Sequence, residues 1–398
     1  MLRPSSRRAA VALSAGATVL AVGAAALPAQ ATAVPGWRIN TTFPVTGRES
    51  ILTSVAAVSA RDAWSAGVIL NDKSGAFGSL IRHWTGRSWT PVTLPAKVAG
   101  AWSRLLPVSQ IAGASSTSDV WIFGGLTSAA YLRLNGRRWS LGHLPGTVPA
   151  AQKFVQVNAA RVFSKSNVWA FGETDNESSQ QLTVTPYAAH FNGARWTVTH
   201  VPGNSPIVAV SAASASSVWA VAGTSAQAAA DGQGGSAGQQ AVLHWTPKGG
   251  WQQLPQPALP KGAQLSAVTL HAGQVVVGGS LPNGRKGRSA LLITWNGKVW
   301  SAPRVAGASP TKWTVAGVAS DGRGGTWVLG FHESGSPGKL WHVVAGKWAA
   351  VLPAFGKHAW LLEQITPVPH TDSVWGAGAL KVGKSTVGLL ALAGPTPR

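Results

Sequence analysis

The chain has 398 residues, with 33 Lys and Arg, 12 Asp and Glu and no Cys, for a formal charge of +21. Apolar residues make up 45% and charged residues 11%, which excludes a disordered polyelectrolyte and leaves a globular chain. Without Cys there are no disulfides, no thiolate metal sites, no cysteine nucleophile and no lipid attached through an N-terminal Cys. Twenty Trp against two Tyr point to a repeated structural use of Trp.

Residues 1–33 read as an export signal. Arg3, Arg7 and Arg8 form a basic start, an uncharged run extends from Ala9 to Leu27, and Ala29-Gln30-Ala31 and Ala31-Thr32-Ala33 are small-x-small cleavage patterns. The run is long enough to serve as an uncleaved anchor, and Arg7-Arg8 allows twin-arginine as well as Sec export. In either case the remainder is placed outside the cell, secreted from a bacterium with cleavage near Ala31 or Ala33. The remainder keeps 30 Lys and Arg against 12 acids, a formal +18, and no later stretch reads as a membrane span.

From residue 34 onward the chain repeats. A short apolar strand of the type x-V-W-x-x-G recurs around Trp64, Trp121, Trp169, Trp219, Val276 (Trp replaced), Trp327 and Trp375. Seven copies spread from Trp64 to Trp375 give a mean period of about 52 residues. A second anchor is a hairpin whose turn precedes a Trp, clearest at Asn135-Gly136 to Trp139, Asn192-Gly193 to Trp196 and Asn296-Gly297 to Trp300. Variants lead to Trp89, Trp251 and Trp348, and the seventh Trp of this class is Trp37, at the opposite end of the chain from its partner strand, Leu390 to Gly394. Four strands per unit, with Trp and Gly recurring, predict an all-β, seven-bladed β-propeller of four-stranded antiparallel blades. Residues 34–398 fill that ring. Residues 34–44 are predicted to complete the last blade and 360–398 to form the rest of it.

An apolar strand ending in Gly-Gly (Gly124-Gly125, Gly278-Gly279), an aromatic in the next strand (Tyr131, Trp295) and Trp in the last (Trp139, Trp300) resemble the kelch and galactose-oxidase-like propellers. The copper-radical chemistry of galactose oxidase requires a Tyr crosslinked to Cys, so the missing Cys excludes it here. The rest of the chain is similar to uncharacterised, Trp-rich propellers that bacteria secrete.

Residues that recur at one phase in every blade read as scaffold. These are the strand and hairpin Trp, the repeat glycines Gly67, Gly124, Gly172, Gly278, Gly330 and Gly378 (expected to let neighbouring blades approach closely), and His83, His190 and His244. Asp62 and Asp119 are expected to fix turns. Glu173, Asp175 and Glu177 alternate in what reads as a loop, where they offer a weak Ca²⁺ pattern or a solvated polar surface. No HExxH, GxSxG or phosphate-loop motif occurs, so no catalytic residue, metal site or cofactor is assigned.

With strands lettered a to d outward from the centre, the b–c and d–a loops share one face, here called the top. The c–d turns on the bottom carry Arg87, Arg137, Arg138, Arg195, Lys248, Lys298 and Lys347, a ring of bases or simply polar turn tips. Over blades 5 to 7 the top loops are basic: Arg285, Lys286, Arg288, Lys339, Lys381 and Lys384, joined by Lys261, Lys312, Lys357 and His358. Trp313 and Trp360 follow two of these loops. They could stack on a ligand or fill the gap between blades. The binding set expected is Arg285, Lys286, Arg288, Lys312, Trp313, Lys357, His358, Trp360, Lys381 and Lys384. The expected function is non-catalytic binding of an anionic polysaccharide or cell-envelope polymer by a secreted monomer. A carbohydrate-active lyase or hydrolase is the alternative, requiring His332, Glu333 and His358 to converge, and a protein-interaction platform is a third. Nucleic acid is a poor target for an exported chain.

Overall fold

The computed structural model describes residues 36–397, apart from 72–75, 106, 108, 126–127, 148–152, 179–180, 224–239, 272, 284–286, 308–312 and 333–337. The expected export signal therefore lies outside the described residues. Seven four-stranded antiparallel sheets follow one another as the blades of a propeller. Six are built from consecutive strands. In the seventh, strands Trp360–Pro367, Val374–Val382 and Ser385–Ala393 are completed by Trp37–Phe43, the first strand among the described residues. Trp37 pairs with Ala393 and Phe43 with Gly388. Arg38 adds hydrogen bonds to Gly394 O (2.5 Å) and Thr396 Oγ1 (3.0 Å), which tie the closing strand to the segment after Ser385–Ala393.

The two Trp anchors turn out to be halves of one joint. In five interfaces the strand-d Trp of one blade meets the strand-b Trp of the preceding blade edge to face. The pairs are Trp139 on Trp64, Trp196 on Trp121, Trp251 on Trp169, Trp37 on Trp327 and Trp89 on Trp375, with ring centroids 5.2–6.5 Å apart. Such pairs add about 0.5–1.5 kcal/mol to the burial of each indole. Because Trp37 and Trp89 make this joint on either side of blade 7, the seam is packed like the other interfaces.

Opposite the strand-b Trp, strand c places His83, Arg133, His190, His244 and His342. Each imidazole lies against its indole, at 4.1 Å for His83, 4.3 Å for His190, 3.8 Å for His244 and 4.5 Å for His342. Each is also held by a polar side chain near the a–b turn: Asp62, Asn167, Ser217 and Asp321 respectively, at 2.7–3.0 Å. Arg133 substitutes a guanidinium 4.4 Å from the Trp121 ring. The histidines are thus scaffold. Asp119 ties its turn through Ser115 and Trp121 Nε1.

Strand a carries a one-residue bulge in six blades, at Thr53, Asn158, Val208, Ser266, Ala316 and Glu363. Beside four of these bulges stands a glycine of strand b, three of them repeat glycines and the fourth Gly279, next to the repeat Gly278. A Cβ on Gly67, Gly172, Gly279 or Gly378 would overlap a strand-a carbonyl of its own blade, that of Ile51, Gln156, Gln264 or Leu361. The expectation that the repeat glycines let neighbouring blades approach closely is therefore corrected for three of them: Gly67, Gly172 and Gly378 let two strands of the same blade close up around a bulge. Gly278 does face the next blade, since its Cβ would lie 2.7 Å from Val315 Cγ1. Among the described residues one element falls outside the repeat, a helix at Ala96–Ser103 between blades 1 and 2, which buries Trp102. It starts after Pro95, whose extended backbone suits the residue before a first turn.

Candidate binding surface and central channel

The basic top sector over blades 5 to 7 divides into engaged and free groups. Arg288 sits on strand Gly287–Trp295, where its Nε donates to Ser280 Oγ (2.8 Å) and one terminal nitrogen to Gly262 O (2.9 Å). It staples the d–a loop of its blade to the b–c hairpin. His358 Nδ1 donates to Lys381 O (3.1 Å), and Lys381 N donates to Ala359 O (2.8 Å), so these two residues join another d–a loop to another hairpin. Lys381 Nζ lies 3.5 Å from Glu49, a carboxylate also bonded by Thr386. The Thr386 hydrogen bond is the main reason that Glu49 titrates below its usual range, with Lys381 adding a Coulombic pull. Lys357, Lys384 and Lys261 are exposed. Arg285, Lys286 and Lys312 lie outside the described residues, as does Glu333.

The two sector Trp are half-buried and in contact with other rings. Trp313 meets Trp341 edge to face at 5.9 Å and His332 at 4.9 Å, and Lys339 Nζ stands 5.6 Å from its centroid. Trp360 meets Phe355 at 5.4 Å and lies over Gly338, where a Cβ would come within 2.8 Å of the indole. Both rings fill space between segments and leave part of their surface open.

The acidic stretch at Glu173 is a strand. It belongs to Asn167–Ser178, which pairs with Gln181–Phe191 throughout, and this corrects the loop reading. Alternate positions of a strand share a face, so Glu173 and Asp175 project together. Burial first, and the Asp175 charge second, push the Glu173 carboxyl up to about 7, against the pull of a hydrogen bond from Asn158. Among the described residues no three His, Asp or Glu side chains gather closely enough to hold a metal ion.

The seven inner strands enclose a central channel of about 420 Å³. Its wall is largely Ala, Gly, Val and Ser, and these small side chains leave the lumen open. Among the described residues two charged ones line it, Arg161 on blade 3 and Glu363 on blade 7. Both keep some surface open to the lumen, yet protein encloses them. That enclosure lowers the Arg161 pKa to about 10 and raises that of Glu363. The repeat reading missed both. For Arg161 the available signal was phase: in the register opposite strand-b Trp or its replacement, strand a carries Ala56, Gly113, Ser211, Thr269, Ala319 and Thr366 in the other six blades.

No family profile matches the sequence, and no curated protein does. Solved structures do resemble it. YCF48 bound to D1 peptide superposes with a TM-score of 0.54 at 12% identity, over 94% of this chain and 100% of that one. YjhT gives 0.42 at 14% identity over 71% and 93%. A fungal lectin from Aleuria aurantia, a six-bladed propeller with a fucose recognition mode, gives 0.42 at 12% identity over 79% and 98%. These are likenesses of fold.

Proposed function

We propose that the chain is a non-catalytic binding propeller, exported from a bacterial cell, that takes an anionic glycan or envelope polymer on the top face over blades 5 to 7. One observation carries the reading: charge is unbalanced, and five of the twelve acids are already engaged by neighbouring side chains. Against 33 Lys and Arg there are 12 acids in the whole chain. Asp62 and Asp321 face histidines, Asp119 ties a turn, Asp372 pairs with Arg323 and Glu49 with Lys381. Exposed lysines therefore present a field that attracts polyanions. The basic, then apolar, residues 1–33 support export, and the doublets Gly124-Gly125 and Gly278-Gly279 support a kelch-like ancestry.

The test is a panel of acidic and neutral glycans and cell-wall fractions at two salt concentrations, with two double variants. Lys357→Glu with Lys384→Glu should weaken polyanion binding at least tenfold, while Arg87→Glu with Arg195→Glu on the bottom turns should leave it within twofold. Arg288 is left intact, because its reversal would unseat the loop it staples. Equal losses from both pairs would overturn the located site. Turnover of a bound glycan would overturn the non-catalytic part.

A further inference from the structure

We propose that the central channel holds a small oxyanion, a carboxylate or phosphate group, against Arg161. The inference stands apart from the surface reading and rests on a cation that breaks the ring's symmetry. At the phase of Arg161 the other six blades carry Ala, Gly, Ser or Thr, and five of these six small residues line the lumen, Ala319 being buried in the core. No other blade carries a charged side chain at this phase.

Its partners leave the charge unanswered. Arg161 donates to the carbonyls of Ala160 and Val210, the second on the neighbouring blade's inner strand. Carbonyls satisfy N–H groups but carry no formal charge, and no carboxylate among the described residues pairs with this guanidinium. Glu363, the other charged group of the channel wall among the described residues, lies on blade 7, and no ion pair joins the two. An enclosed cation without a counter-charge is costly, whereas one whose counter-ion is a ligand is a binding site. Guanidinium has five donors in a planar fork, so N–H groups remain for two oxygens of one anion. A lumen of about 420 Å³ accommodates a sugar acid or a phosphate with its water, and its small-residue wall does not obstruct either.

The experiment is calorimetric titration of the full chain with sodium glucuronate, inorganic phosphate and, as the neutral control, glucose. The expected result is one saturable site for at least one oxyanion and none for glucose. Arg161→Gln should weaken it at least tenfold, and Arg87→Gln, on a bottom turn, should not change it. Ser211→Asp places a carboxylate beside Val210 in the channel wall and should supply the missing counter-charge. It should therefore abolish oxyanion binding without lowering the melting temperature, and it decides the matter if Arg161→Gln fails to fold. Comparison of the glucuronate and phosphate arms identifies the oxyanion. No saturable binding of either by the parent, or undiminished binding by Ser211→Asp, overturns the proposal. A parent that binds acidic polymers but neither small oxyanion overturns the channel site alone. One that binds a small oxyanion but no polymer supports it and overturns the surface reading.

Discussion

Asp321 shows how a polar side chain can be worth more inside this fold than outside it. Burial alone would raise its pKa. Hydrogen bonds from His342 and from the backbone N–H groups of Arg323 and Gly325 outweigh burial and hold it at about 2. Because the folded pKa lies below the ordinary carboxylate value, the unfolded chain takes up the proton first. The stabilisation is complete above about pH 4 and is lost as pH falls towards 2, and a depression of this size corresponds to about 2 kcal/mol. Asp321→Asn should therefore lose about 2 kcal/mol in urea denaturation at pH 7. Its deficit relative to the parent should shrink towards zero by pH 2.5, and a deficit as large there as at pH 7 would contradict the argument. The same residue marks a limit of reading from sequence. Asp62 and Asp119 stand two residues before their Trp, and the turn role expected of both is seen at Asp119, whereas Asp62 holds His83. Asp321 stands six before Trp327, across an inserted Gly-Arg-Gly-Gly turn, so its partnership with His342 followed only from the fold.

At the level of strands, the closing segment is the most exposed to test. Trp37 is fully buried, packs on Trp327 and starts the strand that covers the edge of Ser385–Ala393. Trp37→Ala should cost about 3–5 kcal/mol, as for a large indole lost from a packed core. Deletion of residues 34–44 should do more, since it leaves Ser385–Ala393 as an unpaired edge and opens the seam. Aggregation or a large drop in melting temperature is expected, and a truncated protein melting within about two degrees of the parent would refute the closure. The blades were legible because Trp, Gly and Asn-Gly recur at fixed phase, and the closing strand because its Trp lies at the wrong end of the chain. The bulges were not legible, since the extra residue is Thr, Asn, Val, Ser, Ala or Glu from blade to blade. The candidate site was legible as charge but not as geometry. Arg288 and His358 are held by backbone carbonyls of Gly262 and Lys381, groups that every residue has and no motif announces.

For the molecule as a whole, the same excess charge has two consequences of opposite sign. With a formal +21, cations on neighbouring turns repel, and that repulsion is released on unfolding. Arg87, Arg137, Arg138, Arg195, Lys248, Lys298 and Lys347 are all exposed on the bottom turns, while the acids of that face are occupied by His83, His342, Ser115 and Arg323. Salt shortens the reach of each charge to about 8 Å at physiological strength and about 3 Å at 1 M. Raising sodium chloride from 0.05 to 0.5 M should therefore relieve the repulsion and raise the melting temperature by a few degrees. Over the same range it should weaken binding to an acidic polysaccharide by tenfold or more, because the attraction acts through the same exposed charges. The combination distinguishes two explanations of salt-sensitive binding. If binding and melting temperature fell together, loss of the fold would account for both, and the electrostatic reading of the surface would fail. If binding falls while the fold strengthens, the field of exposed lysines and arginines holds the polymer.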